Sequence, residues 1–424
     1  MDKKLLETFE NHKEEYLNHL KNLVAIDTQD IGHGILGGRE KEGQEYIEKL
    51  FREIGADEII IDPMKEEIIE RAKKEYNEGN LGHNYEDRYN VIAKFKGNPD
   101  GRSLLFNGHV DTMPPGDLNK WHKDPFKPYV KDGKLYGLGT ADMKSGLMAS
   151  IMAVKLLKDA GYELPGDVTV VSVVDEEGGG NGSIQAVLNG YKEDAAVICE
   201  PSEGNIIVAH MGFVFFEVKV KGVALHSGYK WKGVNAIEKA IKLIEALNEM
   251  EHNWLMKYKH PLLPPPTLNV GVIEGGTAGS TVPDSCTFKL CLHYLPKVMS
   301  YEQVVEEVVN TINTRAKGDP WLKDNMPEIS IYQAGGAFET DLDHDFIEIA
   351  KESLKDITGD VKLLGGAAGN DARLYSNILN IPTVIMGPGY AQQCHSPNEY
   401  VVVEDYFNYI KAYANLILNW CKKE

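Results

Sequence analysis

Cysteine is scarce in this chain: five residues in 424, at Cys199, Cys286, Cys291, Cys394 and Cys421, an odd and scattered set with no C-x-x-C pair. That excludes a disulfide-stapled scaffold and points to a reduced, cytoplasmic setting. Positive charge is short as well, with 45 Lys and Arg against 64 Asp and Glu and a net charge of −19. A chain so acidic has no basic face to offer nucleic acid or an anionic membrane, and neither is expected as a partner. Long apolar runs are missing: nothing approaches the roughly 20 residues of a membrane helix. The opening MDKKLLETFENHKEEY has no apolar core of the signal-peptide kind. Internal repeats and low-complexity tracts are also absent, which removes repeat architectures. What remains, 42% hydrophobic and 26% charged residues, is a globular composition. A length of 424 exceeds one ordinary core, so two domains are expected.

The informative stretch runs from Leu104 to Leu147. An apolar run, Leu104 to Phe106, breaks at Asn107-Gly108 and delivers His109 and Asp111 two residues apart. The end of a strand is where an open α/β sheet places its chemistry. Further on, a glycine-rich turn, Gly137 to Gly146, presents Asp142 just before an apolar helical run. The β-branched run Val170 to Val174 ends on Asp175-Glu176-Glu177, and Ala195 to Ile198 ends on Cys199-Glu200-Pro201. Acids so crowded repel one another unless a cation lies among them.

From Leu5 onward the chain alternates helix and strand up to Glu200, which predicts a mixed central sheet flanked by helices, an α/β class. The charged segment Lys65 to Glu78 reads as an extra surface helix with no role beyond solvation. After Gly212 the texture changes. Phe213 to Lys221 alternates like a half-exposed strand, and the order that follows is β-α-β-β-α-β, a ferredoxin-like α+β unit. The expected division is a metal-binding catalytic domain over 1–211 and 335–424, with an inserted lid and dimerisation domain over 212–334.

Two imidazoles and several carboxylates without a thiolate suit a pair of zinc-like ions, because one aspartate can bridge two metals about 3.5 Å apart. In this reading Asp142 is the bridge. His109 and Glu200 complete one site, and Glu177 and His395 complete the other. Asp111 is expected to accept the second N–H of His109 and fix its tautomer. Glu176 is left over beside the metals, and becomes the general base toward a water whose pKa the ions lower. A lone His-x-Asp carries little signal; five or six such residues on one predicted sheet edge carry much more. A nucleotide site is disfavoured, since Gly139-Thr-Ala-Asp-Met-Lys144-Ser145 lacks the glycine that a phosphate-binding loop places directly before its lysine.

Gly108-His109-Val-Asp111-Thr, Gly139-Thr-Ala-Asp142-Met-Lys-Ser-Gly146, Asp175-Glu176-Glu177-Gly178, Cys199-Glu200-Pro201 and Cys394-His395-Ser396 resemble, in order and spacing, the M20 metallopeptidase family. That family includes acetylornithine deacetylase, succinyl-diaminopimelate desuccinylase, aminoacylase and carboxypeptidase G2. The resemblance covers essentially the whole chain. It implies a co-catalytic di-zinc site in which cobalt can substitute, a cis peptide after Asp142, and a homodimer built through the lid. It also implies that His226, in Gly222-Val-Ala-Leu-His226-Ser-Gly228, reaches a partner's active site and donates to the oxyanion. Arg373 is matched to the position that grips a substrate carboxylate with its planar fork, and Asn370 to an added amide contact. The implied activity is hydrolysis of N-acyl amino acids, acetylornithine-like or succinyl-diaminopimelate-like, with a dipeptidase or carboxypeptidase as the alternative. His293 stands where many members have arginine.

Overall fold

The structure is a computed structural model that describes residues 2–422. The chain divides into two compact units. One comprises the residues up to Val208, Thr340–Leu364 and the residues from Asn370 onward; the other comprises Ala209–Glu339 and Gly365–Gly369.

Four parallel strands form the middle of the first unit's sheet, in the spatial order Thr383–Ile385, Ala196–Ile198, Leu104–His109, Val168–Val173. Antiparallel strands extend it on both sides: Ile206–His210 beside Thr383–Ile385, and Tyr89–Phe95 followed by Glu58–Pro63 beside Val168–Val173. Leu104–His109 and Val168–Val173 are buried at every position. Their near-continuous apolar and β-branched sequences are what a strand covered on both faces requires. The helices Lys3–Val24, Lys144–Asp159 and Val403–Trp420 pack with one another, and Asn181–Leu188 packs with both Glu66–Tyr76 and Ala372–Leu379.

Helix Lys144–Asp159 is buried over nearly its whole length, from Lys144 to Leu157. Its approach to the sheet depends on Gly146. A Cβ at that position would lie 1.8 Å from the carbonyl oxygen of Cys199, so only glycine lets the first turn press against the end of strand Ala196–Ile198. That contact brings the Asp142 turn beside Glu200.

The charged segment after Pro63 corrects the sequence reading. Helix Glu66–Tyr76 buries Ile69 and Ala72, and Lys65 N–H donates to the Gln185 side chain at 2.7 Å. Two residues beyond the helix, Glu78 is itself buried. The segment therefore packs into the first unit; hydrophobic residues spaced at Ile69 and Ala72 were too few to signal this above the surrounding charge.

The second unit holds an antiparallel sheet in the order Thr267–Gly275, Ser285–Tyr294, Gly212–Lys221, Glu328–Gly335. Helices Ala236–Lys257 and Tyr301–Lys317 pack together and against its strands. Strand Gly212–Lys221 alternates strictly, burying Val214, Phe216, Val218 and Val220 in the core beneath the helices. This is the half-covered sheet that period-2 patterning predicts.

Candidate metal centre and active site

All four parallel strands of the first unit end at one edge, and the chain beyond each carries acids or imidazoles. Leu104–His109 ends on His109. Val168–Val173 runs into Asp175, Glu176 and Glu177, Ala196–Ile198 into Glu200, and Thr383–Ile385 into the loop that holds His395. Asp142 arrives from the turn before helix Lys144–Asp159, and the Asp142–Met143 peptide is cis.

These side chains converge in two triads that share one aspartate. One ligand atom from each of His109, Asp142 and Glu200 lies within 4.8 Å of the others, and the same holds for Asp142, Glu177 and His395. His109 Nε2 is 3.1 Å from Asp142 Oδ1 and 3.5 Å from Glu200 Oε1. His395 Nε2 is 3.3 Å from Asp142 Oδ2 and 2.9 Å from Glu177 Oε2. Glu176 stands just outside, its Oε2 3.9 Å from His109 Nε2.

The electrostatics describe a set that asks for positive charge. Burial, reinforced by Asp142, pushes Glu200 up to about 7. Burial and the neighbouring Asp371 push Glu176 well above the carboxylate range, and Glu177 rises through burial and Asp142. Contacts with Asp142 and Glu177 carry His395 up to about 11. His109 rises well above its ordinary value although burial opposes its charge, because Asp142 and Glu200 bind it. Two imidazoles and three carboxylates at these separations fit two divalent cations of the zinc type, with Asp142 offering one oxygen to each side.

Residues that the sequence reading passed over hold this centre in place. Glu399 is buried, and its carboxylate accepts from the N–H groups of Gly139, Ala141 and Asp142 at 2.8, 2.7 and 3.0 Å, fixing the turn that presents Asp142. The signal was its place four residues after His395, in His395-Ser-Pro-Asn-Glu399. A third group of buried acids, Asp30, Glu40 and Asp111, also lies within ligand reach. It is served by the chain's own cation: the Arg88 guanidinium donates to Asp30 at 3.0 Å and to Glu40, and its Nη2 is 3.1 Å from Asp175. His83 Nδ1 lies 2.7 Å from the other oxygen of Asp175. These clamps hold Asp175 in the left-handed region, at φ +60°, where a non-glycine residue is costly.

Three expected roles are corrected. The Asp111 carboxylate is expected to hold His109, yet His109 Nδ1 is 3.0 Å from the backbone carbonyl of Asp111 and 3.6 Å from carboxylate Oδ1. The carboxylate instead accepts the Glu177 N–H at 3.0 Å, so it orients Glu177. Arg373 does not hold its fork open to a ligand. It is buried, with Nε donating to Glu78 at 3.0 Å, Nη1 to the Asn370 carbonyl at 2.6 Å and Nη2 to the Gly179 carbonyl at 3.4 Å. Asn370 is turned to local work, its side-chain oxygen accepting the Ala372 N–H at 3.0 Å.

In the second unit, His226 is exposed, and its Nδ1 accepts the Gly228 N–H at 3.1 Å. With Nδ1 accepting, Nε2 is left as the ring's donor nitrogen. His293 lines a largely apolar cavity of about 650 Å³ together with Phe213, Phe215, Pro264 and Pro265. Burial pulls its pKa down.

The sheet edge and its donor set define a metallohydrolase. A model of peptidase family M20/M25/M40 matches residues 105–419, and the chain belongs to this family, whose members hydrolyse amide C–N bonds. It is 30% identical over 443 residues to the N-formyl-4-amino-5-aminomethyl-2-methylpyrimidine deformylase of Bacillus subtilis, covering 98% of this chain and 96% of that one. Against the acetylornithine deacetylase of Proteus mirabilis it is 28% identical over 342 residues, covering 80% and 84% of the two chains. Among solved structures, an M20 metallo-carboxypeptidase from Sulfolobus solfataricus superposes with a TM-score of 0.75 at 20% identity, over 99% of both chains. That last likeness speaks to fold alone. Among the described residues no helix is long and apolar enough to cross a membrane.

Proposed function

We propose that this chain is a two-metal amidohydrolase that removes a short acyl group, formyl or acetyl, from the nitrogen of a small amine. The observation that supports this most is the pair of triads sharing Asp142, with Glu176 left over at their rim. In this reading His109, Asp142 and Glu200 hold one ion and Asp142, Glu177 and His395 hold the other, zinc by preference with cobalt able to replace it. Bound there, the ions supply Lewis-acid polarisation of the acyl carbonyl and lower the pKa of the attacking water. Asp111 and Glu399 orient Glu177 and the Asp142 turn. Glu176 takes the proton of the attacking water and returns it to the leaving amine nitrogen. Its burial beside Asp371 raises its proton affinity, the direction that helps a carboxylate take up a proton in such a relay.

The two relatives favour acyl removal over peptide cleavage, since one is named a deformylase and the other a deacetylase. Dipeptide or carboxypeptidase activity is the second reading, supported by the peptidase named among the solved structures. The second unit serves as lid and dimer contact in this proposal. His226, exposed with its proton on Nε2, donates to the developing oxyanion of a partner copy. The scattered free cysteines suit a reducing cytoplasm.

The test is hydrolysis of N-formyl and N-acetyl amines, N-acyl amino acids and dipeptides by zinc- and cobalt-loaded enzyme. Turnover of an acyl amide that falls about 10²–10⁴-fold in Glu176→Ala, with metal content unchanged, supports the reading. A metal-replete Glu176→Ala enzyme with near-normal turnover would refute the base. Mixing Glu176→Ala with His226→Ala restores partial activity if the histidine acts across a dimer, and fails to do so if it acts within one chain.

A further inference from the structure

Three buried cations lie around the acid-rich sheet edge, and each is already engaged. Arg88 serves Asp30, Glu40 and Asp175. Lys144, two residues after Asp142, donates its ammonium to the carbonyls of Leu23 and Ile26 at 3.2 and 3.0 Å. Arg373 is 3% exposed, and its guanidinium is divided between Glu78 and the carbonyls of Asn370 and Gly179.

The place of Arg373 is specific. A Cβ on Gly180 would come 3.2 Å from its Nη2 and 2.8 Å from Asp371 Oδ1. Gly179 in turn donates its N–H to the carbonyl of Glu176 at 2.7 Å. The guanidinium thus lies on the inner side of the turn that carries Glu176 and braces it. A substrate carboxylate needs two parallel N–H groups on one edge of the fork. Its Nε is taken by Glu78, a partner 5% exposed, and its Nη1 and Nη2 by the carbonyls of Asn370 and Gly179, so presenting either edge of the fork to a substrate means giving up Glu78 or both carbonyls. Glu78 comes from the segment just after helix Glu66–Tyr76, so the chain itself supplies the anion that occupies the arginine.

We propose that the substrate of this site is an N-acyl amine with no carboxylate beside the scissile amide, and that Glu78 is the specificity-determining residue that closes Arg373 to carboxylates. The inference rests on the deacylase reading and narrows it. Arg373 acts as a positioning residue for the Glu176 turn, and the amine portion of the substrate is neutral or cationic, in keeping with the excess of acids at the edge.

Matched pairs test this. N-acetylputrescine and N-acetylornithine differ only in the carboxylate, as do N-formylbenzylamine and N-formylphenylglycine. In the metal-loaded wild-type enzyme the carboxylate-free member of at least one pair has a kcat/KM at least tenfold above its partner. Glu78→Gln, which keeps the shape and removes the charge, narrows that ratio by lowering KM for the carboxylated member at least tenfold, while KM for the amine stays within about twofold. Arg373→Lys lowers kcat with KM for the amine little changed, the mark of a brace. Product inhibition needs no variant: putrescine inhibits the wild type more tightly than ornithine. The proposal is overturned if carboxylated members are preferred and Arg373→Lys raises their KM tenfold or more. Hydrolysis of no member of either pair, with dipeptides cleaved, overturns the deacylase reading itself, a distinct outcome.

Discussion

Two clusters of acids sit side by side in the first unit, one buried and one partly exposed, and they are resolved in opposite ways. His109 and Asp111 are two residues apart, and Asp175 directly precedes Glu176 and Glu177, yet the members divide between clusters. Asp175, Asp30 and Glu40 meet Arg88, and Asp175 also meets His83. That cluster carries its own cation and is closed. Asp142, Glu177 and Glu200 meet only imidazoles among the contacts described for the triads, and imidazoles are themselves metal ligands. Burial raises acids in both clusters, Glu200 and Glu40 to about 7 and Asp30 to about 8, so the difference lies in the partner and not in the burial. A guanidinium is always charged and satisfies acids permanently, whereas an imidazole can give up its proton to a metal. The contrast separates acids that hold the fold, fully buried around Arg88, from acids poised for a cation, which lie partly open to solvent.

The largest effect should come from breaking the open cluster at its shared member. Asp142→Ala removes a donor from both triads, so amide hydrolysis should fall to background even with excess zinc; activity above a tenth of wild type would remove Asp142 from the bridging role. The closed cluster answers to stability. Arg88→Met leaves Asp30, Glu40 and Asp175 buried without their charge partner, which costs about 3–5 kcal/mol. Chemical denaturation should register that loss, while the folded fraction still takes up metal. Equal loss of metal uptake would show that the two clusters are one.

A smaller effect sharpens the comparison from the second unit. Asp319, buried there, accepts from Lys239 at 2.8 Å, Lys242 at 2.9 Å and the N–H groups of Trp321 and Leu322. Those partners outweigh burial and hold its carboxyl well below the ordinary 3.8. A depressed folded-state pKa means the unfolded chain binds the proton more readily, so the stabilisation is complete above the ordinary value and is lost as pH falls below it. Asp319→Asn should cost about 1–3 kcal/mol at pH 7, and the difference from wild type should shrink toward pH 2. A difference that stays constant with pH would assign the cost to packing.

Much of this was legible in the sequence because it is local. The buried strands announce themselves as Leu104-Leu-Phe106 and Val170-Val-Ser-Val-Val174, and the ligand residues stand at the ends of such runs, where an α/β sheet puts its chemistry. The alternation from Phe213 to Lys221 gave away the second sheet for the same reason. What escaped is non-local pairing. Arg373 and Glu78 are 295 residues apart and Arg88 and Asp30 are 58 apart, and no periodicity encodes which buried charge meets which. The role of Asp111 failed differently: its backbone carbonyl, present at every residue, competes with its carboxylate for the same N–H.

The account rests on the two triads being a cation centre, and the most direct measurement is a calorimetric titration of metal-free protein with zinc, repeated with cobalt under visible absorption. Two equivalents per chain, with stoichiometry lost in Asp142→Ala, is the predicted result. Less than one equivalent in a folded protein that still cleaves an acyl amide would contradict it.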